Sequence, residues 1–173
     1  MRPATVNNRD KPTAAAKRPK NTAAAKRPKP TAWEKCERLL AYRERSSGEL
    51  RKRLTQEGYD TQTIESMIDK LVSSGLVDDE RFGRLFIESK LNQGWGMQRI
   101  AYALKSHDIT LDDYPELFAA FSDEDDELDR ARTALERYRG RSKDEYNGRY
   151  HFLVTKGFSA SVIHQVMLEW RAG

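Results

Sequence analysis

An all-α fold is predicted for this chain: three tandem three-helix repeats, each helix-turn-helix-like, in an elongated curved array. Three observations predict it. After Trp33 the apolar residues recur at helical spacing, with no long alternating strand pattern and no hairpin turn. The sequence also repeats itself at offsets of 50 and 49 residues. Composition changes abruptly near residue 32, from a proline-broken basic segment to amphipathic stripes.

Whole-chain figures limit what such an array can be. A chain of 173 residues suits one ordinary domain or a run of small modules. With 38% hydrophobic and 34% charged residues, a large deep core is excluded and each apolar side chain must be well placed. No stretch approaches the roughly 18 apolar residues that cross a bilayer, and the N-terminus lacks a secretory apolar core. A cytoplasmic location with no membrane partner is therefore expected. Cys36 stands alone, so it offers neither an internal disulfide nor a cysteine pair for zinc, in keeping with a reducing compartment.

Residues 1–32 read as a disordered basic Ala/Lys/Pro tail. Asp10 is its one acid, set against cations that include Lys17, Arg18, Lys20, Lys26, Arg27 and Lys29. The tail thus exceeds the chain's whole net charge of +4 and leaves the remainder net acidic. The octapeptide TAAAKRPK occurs at 13–20 and again at 22–29. Pro12, Pro19, Pro28 and Pro30 interrupt any helix there, and nothing apolar is available to bury. Two readings stay open: an arm that neutralises nucleic-acid phosphates in a salt-sensitive way, or a solubilising extension without a dedicated partner. Its prolines and missing amphipathic stripe argue against a transit peptide.

Helices are predicted at 33–45, 47–57 and 61–73 in a first repeat (33–77). The second repeat (78–122) has them at 79–92, 97–107 and 111–121, and the third (123–173) at 124–139, 143–156 and 160–171. Trp33, Cys36, Leu39 and Leu40 stripe the first helix, which stops at the Arg45-Ser46-Ser47-Gly48 break. Ser46 and Glu49 have capping-box spacing and open the second, which carries Leu50 and Leu54 and ends at Gly58. Asp60 caps the third, and Ile64, Met67, Ile68 and Leu71 face inward until Gly75.

The repetition becomes visible when Gly58-Tyr59 is aligned with Asp108-Ile109 and Gly157-Phe158. Leu54, Leu104 and Leu153 stand four positions before these pivots; Asp60, Thr110 and Ser159, all good N-cap residues, stand two after. One helical face then carries Ile64, Ile68 and Leu71 in the first copy, Tyr114, Phe118 and Phe121 in the second, and Ile163, Met167 and Trp170 in the third. Units this small cannot close their own cores, so neighbours should stack.

Gly75-Leu76-Val77-Asp78-Asp79-Glu80-Arg81-Phe82, followed by Gly94-Trp95-Gly96, Ile100, Leu104 and Ile109, resembles the central signature of the RecX family. Arg45-Ser46 with Glu49-Leu50 and Leu54 is similar to that family's first repeat, and Lys156-Gly157-Phe158 to the end of the third repeat's second helix. The likeness runs over roughly residues 35 to 171; it departs at Thr155-Lys156, where a more basic pair is usual, and at Asp108, where glycine is common. What it implies is a non-enzymatic regulator that binds RecA and its filament on single-stranded DNA, inhibiting ATPase, strand exchange and coprotease activity. That role belongs to recombination, DNA repair and the SOS response, with a monomeric regulator expected and no cofactor.

Clusters of residue types that carry chemistry elsewhere read otherwise. Asp78, Asp79 and Glu80 sit where a helix should begin, and acids there complement the macrodipole. The run Asp123, Glu124, Asp125, Asp126, Glu127 and Asp129 reads the same way, or as a contact for basic patches on a partner. His107, His151 and His164 lack ligand spacing, and Gly94-Trp95-Gly96 lacks a phosphate loop's Gly-Lys-Ser/Thr ending. Trp95 is either a contact aromatic or a packing residue.

Candidate contacts for RecA or DNA are therefore basic: Arg43, Arg45, Arg51, Lys52 and Arg53, then Arg99 and Lys105, then Arg137, Arg139, Arg141, Lys143, Arg149 and Lys156. They could line one side of the array, or be ordinary solvated helix faces. A helix-turn-helix-type DNA-binding protein is the alternative function, although few basic or amide side chains occupy the third helices.

Overall fold

The computed structural model describes residues 29–140 and 142–172. These residues form helices α1 (Ala32–Tyr42), α2 (Ser47–Gln56), α3 (Thr61–Ser73), α4 (Asp79–Asn92), α5 (Met97–Lys105), α6 (Pro115–Ala119), α7 (Glu124–Glu136), α8 (Glu145–Lys156) and α9 (Ala160–Ala172), and no strand. Helix starts follow side-chain chemistry. Thr31 and Glu34 make a reciprocal capping box, while Ser46, Asp60, Asp78, Asp123 and Asp144 each accept the amide three residues on.

The aligned pivots share one backbone circuit. Gly58, Asp108 and Gly157 take left-handed φ values of 74°, 59° and 85°. The next amide donates back to the leucine carbonyl: Tyr59 to Leu54 at 3.2 Å, Ile109 to Leu104 at 3.2 Å, Phe158 to Leu153 at 3.3 Å, each the six-to-one bond of a Schellman ending. Two residues past the pivot, Asp60, Thr110 and Ser159 accept the amides of Thr63, Asp113 and Val162 at 2.8, 3.3 and 3.4 Å. Apolar residues gather correspondingly into three clusters. Leu50, Leu54, Ile68 and Leu71 anchor the first; Ile87, Ile100, Leu104 and Leu117 the second; and Leu153, Phe158, Val162 and Met167 the third.

Several expected helix limits are corrected. The first helix ends at Tyr42, not residue 45, because Arg43 is extended (φ −163°) and Arg45 Nε donates to the Leu39 carbonyl, tying the loop to the helix end. The helix expected at 97–107 closes at Lys105, where the turn that leads into the Asp108 pivot begins. The helix expected at 111–121 shrinks most. Pro115 has no amide to continue a turn and forces Tyr114 out of helical space (φ −132°, ψ 55°), so α6 starts afresh at the proline and buries Leu117, which the periodicity had not picked out. Further on, α7 stops at Glu136, not 139, and the Asp144 cap moves the start of α8 to 145. Residues 29–32, assigned to the tail from sequence, belong to the first unit: the Tyr59 hydroxyl donates to the Pro30 carbonyl and Lys29 lies 3.7 Å from the Tyr59 ring centroid. The disorder expected of residues 1–28 lies outside the described residues.

Successive units meet by a shared device. The first turn of α2 rests on the second unit's pivot: a Cβ on Gly48 would stand 2.5 Å from the His107 carbonyl oxygen and from Asp108 Oδ2. The start of α5 rests likewise on the third unit's pivot, where a Cβ on Gly96 would overlap the Gly157 carbonyl. Close approach permits direct bonding. Gly96 donates its amide to Lys156 O at 2.8 Å, and the open first-turn amide of Gln98 donates to Gly157 O at 3.1 Å. Gly96 offers no side-chain cap to α5, so the neighbouring unit supplies one. On the other side, Asp79 of α4 accepts both the Ser47 amide (2.7 Å) and the Ser47 hydroxyl (2.6 Å).

Gly96→Ala should cost about 1–3 kcal/mol, because the added methyl meets backbone that cannot rotate away. Urea denaturation should show a lower midpoint and a lower m-value as the third unit uncouples from the second. An unchanged curve would contradict this account of the junction.

Candidate functional site

Most of the candidate cations are engaged inside the fold. Arg43 binds both carboxylate oxygens of Glu49, at 2.5 and 3.0 Å, and that bond pushes its pKa above the ordinary guanidinium value. Arg45 shares Glu49 at 3.6 Å. Arg51 straddles the Glu65 carboxylate and reaches Ser47 Oγ at 3.0 Å, and Arg53 pairs with Glu57 at 3.0 Å. Glu57 also receives Lys35 at 2.6 Å, whose bond holds its carboxyl below the usual range. Arg149 pairs with Glu145 at 2.5 Å.

Two others serve the junctions. Lys52 donates to the Ser106 carbonyl and stands 3.4 Å from Asp108 Oδ1. Arg99 donates to the Thr155 carbonyl at 3.2 Å and stacks 3.8 Å from the Trp95 ring centroid. Ser106 and Thr155 occupy the same place, two residues before their pivots. Each junction thus carries a cation on the carbonyl end of the following unit's helix, where the macrodipole favours positive charge. Trp95 packs against the second cluster beneath Arg99 and Lys90, so packing accounts for it.

Lys105, Arg137, Arg139, Lys143 and Lys156 have no acidic partner among the described residues. Arg139 closes α7 by donating to the carbonyls of Glu136 and Tyr138, and Lys156 sits 5.6 Å from the Phe152 ring centroid. The expected basic stripe is thereby broken into internal pairs, junction bonds and these exposed or half-buried ends. Arg141 and the tail cations Lys17, Arg18, Lys20, Lys26 and Arg27 lie outside the described residues.

Several residues of the acidic motifs serve the fold. Asp78 caps α4 and Asp79 bridges to α2, while Asp123 caps α7. No metal-binding group of His, Cys, Asp and Glu exists among the described residues, and no helix there is long and apolar enough to cross a membrane. Sequence reasoning missed the aromatic face of the third unit. Tyr146 and Tyr150 lie one turn apart on α8, half exposed, with ring centroids 6.5 Å apart and planes 20° apart. The signal was present as tyrosines interleaved with arginines between residues 137 and 150.

His107 sits at the first junction, packed on Phe82 and Phe86 at centroid distances of 5.0 and 5.3 Å, and burial lowers its pKa below 6.5. Glu49 and Asp108 oppose that shift, while Lys52 and Arg43 add to it. A His with a depressed folded pKa binds protons more readily once unfolded, so its stabilising effect is full above the unfolded value and is lost as pH falls below it. The urea midpoint should therefore drop between about pH 7 and about pH 5, and His107→Gln should make the drop shallower. Parallel profiles for the two proteins would rule His107 out as the titrating group.

Family models match in two places: one described as "RecX, first three-helix domain" over residues 32–71, and one as "RecX, second three-helix domain" over residues 78–113. The chain is 32% identical over 133 residues to the regulatory protein RecX of Herminiimonas arsenicoxydans, spanning 75% of this chain and 86% of that one. It is 33% identical over 148 residues to the regulatory protein RecX of Mycobacterium sp. (strain KMS), spanning 80% of each. Among solved structures, RecX from Lactobacillus salivarius superposes with a TM-score of 0.69 at 20% identity, over 82% of this chain and 96% of that one. A second crystal structure of regulatory protein RecX gives 0.67 at 22% identity, over 78% and 70% respectively. At those identities the structural likeness speaks for the fold.

Proposed function

This chain belongs to the RecX family of regulatory proteins, and from that premise we propose that it binds RecA and the RecA filament on single-stranded DNA. In this reading it restrains ATP hydrolysis, strand exchange and coprotease activity in the cytoplasm as a monomer, and performs no chemistry itself. The observation that carries the reading is the likeness to RecX relatives over four-fifths of both chains, far beyond a local motif.

The geometry supplies a physical rationale. Three units fixed against each other by junction bonds present surfaces at set spacing, and a helical filament presents protomers at set spacing. Weak contacts made together then add as effective concentration. Lys105, Arg139 and Lys156, free of acidic partners among the described residues, are the proposed contacts on the folded units, with Lys17, Arg18, Lys20, Lys26 and Arg27 of the tail adding electrostatic attraction. A helix-turn-helix DNA reader is disfavoured, because α3 carries Glu65 and Asp69 and α9 carries Glu169, acids that a base-reading helix would hold against the groove.

Added at substoichiometric amounts, the protein is expected to depress single-strand-dependent ATP hydrolysis by RecA. Unchanged turnover across a full titration would sink the reading. Removing residues 1–28 should flatten the salt dependence of direct DNA affinity; an equal slope would show that the tail is no electrostatic arm.

A further inference from the structure

We infer that the aromatic, arginine-rich end of the third unit, centred on Tyr146 and Tyr150, is a stacking platform for the unpaired bases of a single-stranded nucleic acid. This is a direct contact between the chain and nucleic acid. It stands or falls without RecA.

Exposure is the first observation. Tyr146 and Tyr150 are 37% and 39% exposed on one face of α8, and the third core is built without them. Core packing therefore does not explain two neighbouring rings held nearly parallel.

Rigidity is the second. Trp170 flanks Tyr146 at 6.4 Å, and the Arg171 guanidinium lies 5.6 Å from the Tyr146 ring centroid. Beneath them Arg149 is sandwiched between Trp170 at 4.8 Å and Tyr138 at 5.1 Å. Tyr138 reaches that place because Gly148 has no side chain: a Cβ there would meet the Tyr138 hydroxyl at 2.5 Å. A platform fixed beforehand loses little freedom when a base stacks on it.

Charge is the third. Residues 137–150 hold five cations against Asp144 and Glu145, within a folded region that is net acidic. The nearest acids are also taken up internally, Glu145 by Arg149 and Glu169 by Arg132 at 2.8 Å. Aromatic faces with interleaved arginine suit single strands, whose bases are free to stack and whose phosphates need countercharge. In a duplex the base faces are already covered by their neighbours.

The test uses the full chain with a labelled oligo-dT and a duplex of equal length, read by fluorescence anisotropy with no recombinase present. Tyr150→Leu keeps bulk but removes the π face, and should weaken oligo-dT binding by about tenfold. Tyr150→Phe should bind as the parent does. The salt slope of both variants should match the parent, since no phosphate contact is lost, and duplex affinity should not move. The proposal is overturned if Tyr150→Leu binds oligo-dT normally, or if it loses single strand and duplex alike. It is equally overturned if Tyr150→Leu binds normally yet ceases to act on RecA, because the face is then a protein contact.

Discussion

Everything else in this fold depends on a close approach between backbone and backbone. The second helix of one unit begins against the left-handed turn of the next, and the approach is possible only because Gly48 and Gly96 carry no side chain. What passes across the gap is hydrogen bonding that a helix start otherwise lacks: Gly157 O for Gln98, Asp79 for Ser47. Each such cap is worth on the order of 1 kcal/mol. Their larger effect is orientation, since a backbone bond tolerates little sliding and so sets the angle between units. Asp108 shows how strict the turn is. It holds a left-handed backbone that glycine would take without strain, and it does so beside Lys52, on the site where α2 docks.

Charge is partitioned according to this architecture. The folded region spends Arg43, Arg51, Arg53, Arg132 and Arg149 on acids a few ångströms away, and Lys52 and Arg99 on carbonyls at the junctions. Exposed pairs of this sort add little stability, but they remove net charge from the surface that carries them. Positive potential is left where acids are few, in the tail and in the stretch from Arg137 to Lys143.

Much of the fold was legible in the sequence because repetition amplified a weak signal. One Leu-turn-cap pattern proves nothing, but Leu54, Leu104 and Leu153 with Asp60, Thr110 and Ser159 at fixed offsets locate three turns, and the same bonds close all three. What repetition conceals is local exception. Pro115 shortens α6 and turns Leu117 inward beside Phe118, while Tyr114 and Phe121, which the aligned pattern also pointed to, pack half-buried against the same cluster. The site was far less legible. Counting cations along helices treats every Arg as available, whereas availability depends on whether a partner lies across the turn or across the junction. Glu65 lies fourteen residues from Arg51, and Thr155 fifty-six from Arg99. No local spacing rule anticipates them.

The borrowed caps also give the array a direction. The first unit leans on Asp79 and the Asp108 turn, and the second leans on Gly157, while the third starts α8 with its own Asp144. Dependence runs from the C-terminal unit back to the first. Synthesis runs the other way, releasing the N-terminal units before the last has left the ribosome. Each helix start therefore stays open on the emerging chain until the next unit is made, so the first junction, which needs only Asp79 and the Asp108 turn, can close before the Gly157 turn required by the second exists.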